Sequence, residues 1–144
     1  MRAVIQRVTR AGVAVDGAVC AQIQLGLLVL VGIEAADTDE DAEWLAGKLV
    51  RLRVFDDESG VMNRSVQDVG GDILLVSQFT LFASTRKGNR PSHTRAAPPE
   101  FAQDFFDRFR LQVEAALGKP VPTGRFGAHM DVDLTNSGPV TILI

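Results

Sequence analysis

The stretch that most constrains this chain runs from Asp72 to Ala83, Asp72-Ile73-Leu74-Leu75-Val76-Ser77-Gln78-Phe79-Thr80-Leu81-Phe82-Ala83. Its apolar residues are too continuous for a strand with one wet face, and they predict a strand buried on both faces. Ser77, Gln78 and Thr80 interrupt the run. Polar groups in a buried strand cost free energy unless they are hydrogen-bonded. One reading has them bonded to neighbouring backbone; the other has the strand pass a pocket that they face. A second stretch favours the pocket. It is Asn136-Ser137-Gly138-Pro139-Val140-Thr141, ahead of the apolar end Ile142-Leu143-Ile144.

Length and composition bound the rest. A chain of 144 residues with 46% hydrophobic residues reads as one domain, 1–144, with a core of ordinary proportions. The net charge of −3 provides no global attraction to nucleic acid, so any RNA contact must be local. Cys20 is alone, which excludes an intrachain disulfide and fits a reducing compartment. It reads as a small core residue rather than a nucleophile. The apolar run Leu25 to Ile33 falls far short of the roughly 20 residues of a spanning helix. Arg2, Arg7 and Arg10 break up the N-terminal apolar residues, so no signal peptide can be drawn. The expectation is a cytoplasmic protein with no membrane contact.

In order, Arg2 to Val15 is rich in Val and Ile and predicts a strand. Asp16-Gly17 predicts a hairpin turn, with Val19 to Gln24 as the returning strand and Leu27 to Ile33 as a third. The acids between Glu34 and Glu43 read as a loop and a helix N-terminus, capped by Thr38 or Asp39, and not as a metal site. Ala42, Leu45, Ala46, Leu49 and Leu52 give an amphipathic helix over about 39–53, with Trp44 packing beside its apolar face. Met62 to Gln67 is a candidate short strand. Ser84 to Pro99 carries Arg86, Lys87, Arg90 and Arg95 and no acid. It is either a solvated loop or a collector of phosphates beside the site. His93 within it reads as a phosphate contact or a bystander. Phe101, Phe105, Phe109, Val113 and Leu117 form the core stripe of a second helix, ended by Gly118. Strands are expected over Gly127 to Leu134 and Pro139 to Ile144, with His129 and Asp131 as a structural pair. The fold class is α/β (α+β), with sheets dominating and two helices covering them.

Ser77-Gln78-Phe79-Thr80 and Asn136 to Thr141 together resemble the D-aminoacyl-tRNA deacylases, also called D-tyrosyl-tRNA deacylases. Ile5-Gln6-Arg7-Val8, Gly26-Leu27-Leu28-Val29, Met62-Asn63, Thr123-Gly124-Arg125-Phe126 and Met130 are similar to that family in the same order, across essentially the whole chain. The resemblance implies a barrel-like sheet arrangement and a symmetric homodimer. It implies hydrolysis of the ester joining a D-amino acid, or glycine, to the 3′-terminal adenosine of tRNA; no cofactor and no metal site is expected from the residues. It implies a cis Gly138-Pro139 bond that acts across the dimer against L-amino acids, with Arg7, Asn136 and Thr141 in support. It also implies that Phe126 and Met130 line the adenosine end of the pocket. The basic loop is then the expected contact to the tRNA acceptor end.

The residues themselves have a chemistry to match. No His, Cys, Asp or Glu lies within Ser77 to Thr80, and a nucleophilic hydroxyl normally needs a base nearby. Thr80 remains a candidate nucleophile if His93, His129 or an acid folds close to it. An aminoacyl ester is already activated, however, and the ribose 2′-OH adjoins its carbonyl. Orientation plus backbone N–H groups aimed at the oxyanion could suffice. That role falls to Ser77, Gln78, Phe79 and Thr80. Two other classes stay open. A serine/threonine esterase would form an acyl-enzyme. An RNA-binding module would need aromatics among the basic residues, and Ser84 to Arg95 has none.

Overall fold

The Asp16-Gly17 turn organises the first part of the fold. The computed structural model describes residues 1–144. In it Asp16 and Gly17 both take positive φ, 51° and 78°, as a two-residue hairpin turn requires. β1 (Arg2–Val15) therefore returns as β2 (Ala18–Ile23) and, after a break, as β3 (Gly26–Gly32). The break keeps the register, because Ala11 pairs Ile23 and Val8 pairs Gly26 on one antiparallel ladder. β6 (Asp72–Ser77) lies parallel to β3, from Gly26 beside Asp72 to Val31 beside Ser77. The approach is close: a Cβ on Gly26 would stand 2.0 Å from the Asp72 carbonyl oxygen, so only glycine fits there. The crossover from β3 to β6 carries α1 (Asp39–Arg51) and a small hairpin, β4 (Phe55–Asp56) and β5 (Met62–Arg64). The other edge of β6 is bonded by Pro122 and Gly124 through Leu75. The last strand, β7 (Asp131–Leu143), runs antiparallel along β1 on the edge away from β2 and β3.

Alternate residues of β6 enter two different cores. Ile73 and Leu75 join a larger one with Ile5, Leu27, Val29 and Val31, while Leu74 and Val76 join a smaller one with Val8, Ala11, Val13 and Leu28. That explains the unbroken apolar run, since each side chain from 73 to 76 is buried whichever way it points. A one-residue bulge at Thr9 in the pairing of β1 with β7 reverses the alternation along β1. Ile5 consequently faces the larger core, and Ala11 and Val13 the smaller.

Two helices cover the larger core. α1 starts at Thr38, whose N–H donates to the Asp41 carboxylate at 2.8 Å while its hydroxyl accepts from the Asp41 N–H at 3.3 Å. Ala42, Leu45, Ala46, Leu49 and Val50 form its buried face. α2 (Pro99–Leu117) buries Phe105, Phe106, Phe109, Val113 and Leu117, and Gly118 closes it in the left-handed conformation at φ 78°. Burial of each of these phenylalanines contributes roughly 1.5–3 kcal/mol. No helix reaches the smaller core, which the curled sheet closes with help from Met130 and Leu134. The result is a mixed α+β domain, a half-barrel sheet with two helices on one side. No helix is long and apolar enough to cross a membrane.

Several expectations are corrected. β6 ends at Ser77, and Phe79–Phe82 form one 3₁₀ turn instead of continuing the strand. The reason lies in β3, which ends at Gly32: Gln78 N–H donates to Val31 O at 2.7 Å, and no ladder partner follows. β7 is one strand, not two, and Gly127–Met130 lie outside it. His129 is exposed and makes no ion pair or hydrogen bond with Asp131, so the expected structural pair is absent. Cys20 is exposed on the outward face of β2, with its thiol 3.4 Å from the Val13 carbonyl, and is not a core residue. Trp44 does not pack in the core either. It is 57% exposed, one position off the apolar stripe, with the Lys48 ammonium 5.2 Å from its ring.

Candidate functional site

The turn that ends β6 leaves backbone donors free. Leu81 N–H returns to Gln78 O at 3.2 Å and Ala83 N–H to Thr80 O at 2.9 Å. Phe79 N–H and Thr80 N–H have no acceptor within the chain. Two adjacent unpaired N–H groups at an exposed turn can receive a developing oxyanion. The Thr80 hydroxyl is met by the Gln78 side-chain amide and by no base. Neither histidine bonds to it, and Ser77, half-buried at the strand end, has no side-chain bond. Phe79 is 59% exposed, with its ring 5.0 Å from that of His93 in an edge-to-face arrangement. His93 Nδ1 is buried without a partner.

The second stretch leaves the ladder as an outward bulge. Gln6 pairs Thr141 and Val8 pairs Asn136, so the four residues Ser137 to Val140 stand opposite Arg7 alone. Asn136 ties the base of this bulge. Its side-chain oxygen accepts the Val140 N–H at 2.8 Å, and its amide nitrogen donates to Val140 O at 3.3 Å and to the Thr141 hydroxyl at 3.2 Å. Arg7, whose side chain is only 11% exposed, donates from Nε to Ser137 O at 2.8 Å. The Gly138-Pro139 bond is cis and both residues are exposed. Gly138 sits at φ 139°, and a Cβ there would stand 2.7 Å from Val140 Cγ2 and 3.0 Å from Arg7 Nη2. Space and backbone both demand glycine.

The two stretches do not meet inside one chain: no hydrogen bond joins Ser77–Thr80 to Gly138–Thr141. Arg86, Lys87 and Arg90 are exposed and form no ion pair, whereas Arg95 pairs with Glu34 at 3.0 Å and lies over the Phe82 ring. Phe126 and Met130 separate, Phe126 against Phe106 and the larger core and Met130 against the smaller. A groove of ≈ 720 Å³ between α1 and α2, lined by Trp44, Gly47, Arg51 and Ala115 among others, contains none of the predicted site residues. The sequence reading missed Val54 and Asp56, whose carbonyl and carboxylate accept from Arg7 Nη1 at 2.7 and 3.1 Å. Asp56 lies in an acidic run that looks like any solvated turn, so no local signal pointed to it.

Comparison with known proteins matches these features to a family. The family model for D-Tyr-tRNA(Tyr) deacylase fits residues 4–144. A D-aminoacyl-tRNA deacylase of Dechloromonas aromatica is 60% identical over 144 residues, covering 100% of this chain and 96% of that protein. The one from Chromobacterium violaceum is 57% identical over 142 residues, covering 99% and 95%. Among solved structures, one named c-Myc DNA Unwinding Element Binding Protein superposes with a TM-score of 0.95 at 44% identity, covering 100% of this chain and 97% of its own. Another, described as "a probable eukaryotic D-amino acid tRNA deacylase", shares the fold at a TM-score of 0.84 and 20% identity, covering 99% and 97%. Both unusual stretches, the turn after β6 and the bulge in β7, lie inside the matched span, and on that whole-length match the chain belongs to the D-Tyr-tRNA(Tyr) deacylase family.

Proposed function

We propose that this protein hydrolyses the ester of D-aminoacyl-tRNA, and of glycyl-tRNA, to free tRNA and amino acid in the cytoplasm. The observation that carries the reading is the pair of unpaired N–H groups of Phe79 and Thr80, beside a Thr80 hydroxyl that is hydrogen-bonded to no base. Such a site stabilises an oxyanion but generates no protein nucleophile. The attacking nucleophile is therefore water, oriented and assisted by the ribose 2′-OH next to the ester. Its oxygen ends on the released amino acid and the 3′-oxygen leaves protonated on the tRNA, with Ser77, Gln78, Phe79 and Thr80 orienting the substrate. Arg86, Lys87 and Arg90 reach the acceptor-end phosphates, Arg95 anchors the loop that carries them through its pair with Glu34, and Phe126 and Met130 approach the terminal adenosine.

The exposed Gly138-Pro139 bulge has no target in its own chain. In a homodimer with two-fold symmetry it would enter the partner's site, Arg7, Asn136 and Thr141 holding it from behind. A rigid backbone wall there leaves room for hydrogen at one substituent position of the substrate Cα. D-residues and glycine fit, and L-residues collide, whatever the D side chain. The test uses matched D-, L- and glycyl-tRNA, and a D-aminoacyl-tRNA ending in 2′-deoxyadenosine and charged on the 3′-oxygen. Rapid release from the D and glycyl forms, with slow release from the L and 2′-deoxy forms, is expected. An acyl group trapped on Thr80 would return the case to a threonine esterase.

A further inference from the structure

The bulge in β7 is held by Arg7 of β1, which is held in turn by Val54 and Asp56 at β4. Register leaves Arg7 alone opposite Ser137–Val140. Its side chain lies on the face that Ile5 presents to the larger core, where an unpaired guanidinium would be costly. It finds three acceptors: Ser137 O at 2.8 Å for Nε, and Val54 O at 2.7 Å and Asp56 Oδ1 at 3.1 Å for Nη1. Asp56 is its one anionic partner. A guanidinium is a rigid planar fork, so fixing Nη1 fixes the direction of Nε and Nη2 as well. Nη2 lies 3.0 Å from the place where a Cβ on Gly138 would stand. The plane of Arg7 is thus the backing of Gly138, and Asp56 sets that plane. Asp56 is itself placed by the β4–β5 hairpin, where it pairs Met62 while its neighbour Phe55 is buried in the larger core.

We propose that Asp56 is a positioning residue for substrate chirality, orienting the Gly138-Pro139 wall through Arg7. The proposal rests on the reading of that wall given above. The Asp56 side chain is 50% exposed, and a half-exposed ion pair adds little to stability. What it supplies is direction: the carboxylate draws Nη1 towards β4, and without it the fork is held by two neutral carbonyls alone. The consequence appears in selectivity and not in folding.

The experiment compares Asp56→Ala, Asp56→Asn and Asp56→Glu with the unaltered protein. It measures kcat and KM on D- and L-aminoacyl-tRNA, and Tm. Asp56→Ala is expected to lower the D-over-L rate ratio by about tenfold, the scale of one charge-assisted hydrogen bond, with Tm nearly unchanged. The change falls on kcat, with KM for the D substrate kept. Asp56→Asn behaves similarly while retaining the size of the side chain, and Asp56→Glu restores part of the ratio. An unchanged ratio in both neutral variants overturns the proposal. So does a parallel loss of Tm and of both rates at fixed ratio, which is a structural role only. Gly138→Ala, which alters the wall itself, separates the two ideas. If Gly138→Ala shifts the ratio and the Asp56 variants do not, the wall stands and the role of Asp56 falls. If neither shifts it, the wall reading fails and the Asp56 proposal with it.

Discussion

Single residues carry much of the local order in this chain, chiefly where short polar side chains bond their own backbone. Asp68 is an example. Its carboxylate accepts the Ser65 N–H at 2.7 Å and the Ser65 hydroxyl at 2.8 Å, fixing the turn that delivers Gly70-Gly71 into β6. The Ser65 backbone bond, followed by its hydroxyl, holds Asp68 below the usual carboxylate range. Asp57 is lowered by the Val61 and Ser59 N–H groups, and Asp41 by Thr38. The sign follows from linkage. The folded state holds these protons less tightly than the unfolded chain, so the contribution is complete above the unfolded carboxylate value, about 4, and is lost as pH falls through the folded values. Asp68→Asn is therefore expected to be less stable than the parent at neutral pH, with the difference narrowing in acid. Urea unfolding between about pH 7 and 3 checks this; a difference that grows in acid would contradict the assignment.

Among the elements, the loop between the 3₁₀ turn and α2 has the most specific expectation. It is tied at its base, where Ser84 and Ser92 exchange backbone bonds at 2.8 and 2.9 Å. Arg86, Lys87 and Arg90 lie beyond that tie without partners, while Arg95 is spent on Glu34 and the Phe82 ring. If the three free cations meet phosphates, replacing all three with Ala should reduce the slope of log K for tRNA against log salt by about 2, at roughly 0.7 per single-strand contact. Arg95→Ala should loosen the loop's docking and change the slope less. Filter binding of tRNA across a salt series reads both, and an unchanged slope in the triple variant would make the loop ordinary solvated surface.

For the whole molecule, assembly is the outstanding consequence. β7 is paired with β1 on one edge, and its other edge carries thirteen residues with no partner strand. A long open edge invites association unless something covers it. The exposed wall and the open turn after β6 occupy one chain without a hydrogen bond between them, and the dimer proposed above would join them across two chains. Sedimentation equilibrium should return twice the chain mass at assay concentrations. Mixing a Gly138→Ala chain with an Arg86, Lys87 and Arg90 triple variant should give hybrid dimers with one intact site, because the unaltered loop of one chain then meets the unaltered wall of the other, and one doubly impaired site. A fully active monomer would remove the cross-subunit arrangement.

How much was legible in the sequence depends on the range of the interaction involved. The hairpin at Asp16-Gly17, a cap at Thr38 or Asp39, most of the stripe of each helix and the Gly118 stop are set by neighbours in sequence and were readable from composition and spacing, whereas Phe101, expected in the core stripe of α2, is exposed and Phe106 is buried instead. The buried strand from Ile73 to Val76 was readable too, because burial on both faces leaves no polar position. Its end was not, since Ser77 stops the strand only because β3 runs out at Gly32, a partner distant in the chain. The Asn-to-Thr stretch was recognisable as a motif, and its family match fixed the fold and the deacylase membership. Only the tertiary structure made it a bulge, by setting four residues against Arg7, and brought Val54 and Asp56 behind that arginine. Exposure was decided there as well: Cys20 and Trp44 face water because of which face of each element the sheet and helices left uncovered. Local conformation is fixed by short-range sterics and hydrogen bonds that a sequence states directly. Register and the pairing of distant charges depend on the packing of the whole chain, which no local stretch encodes.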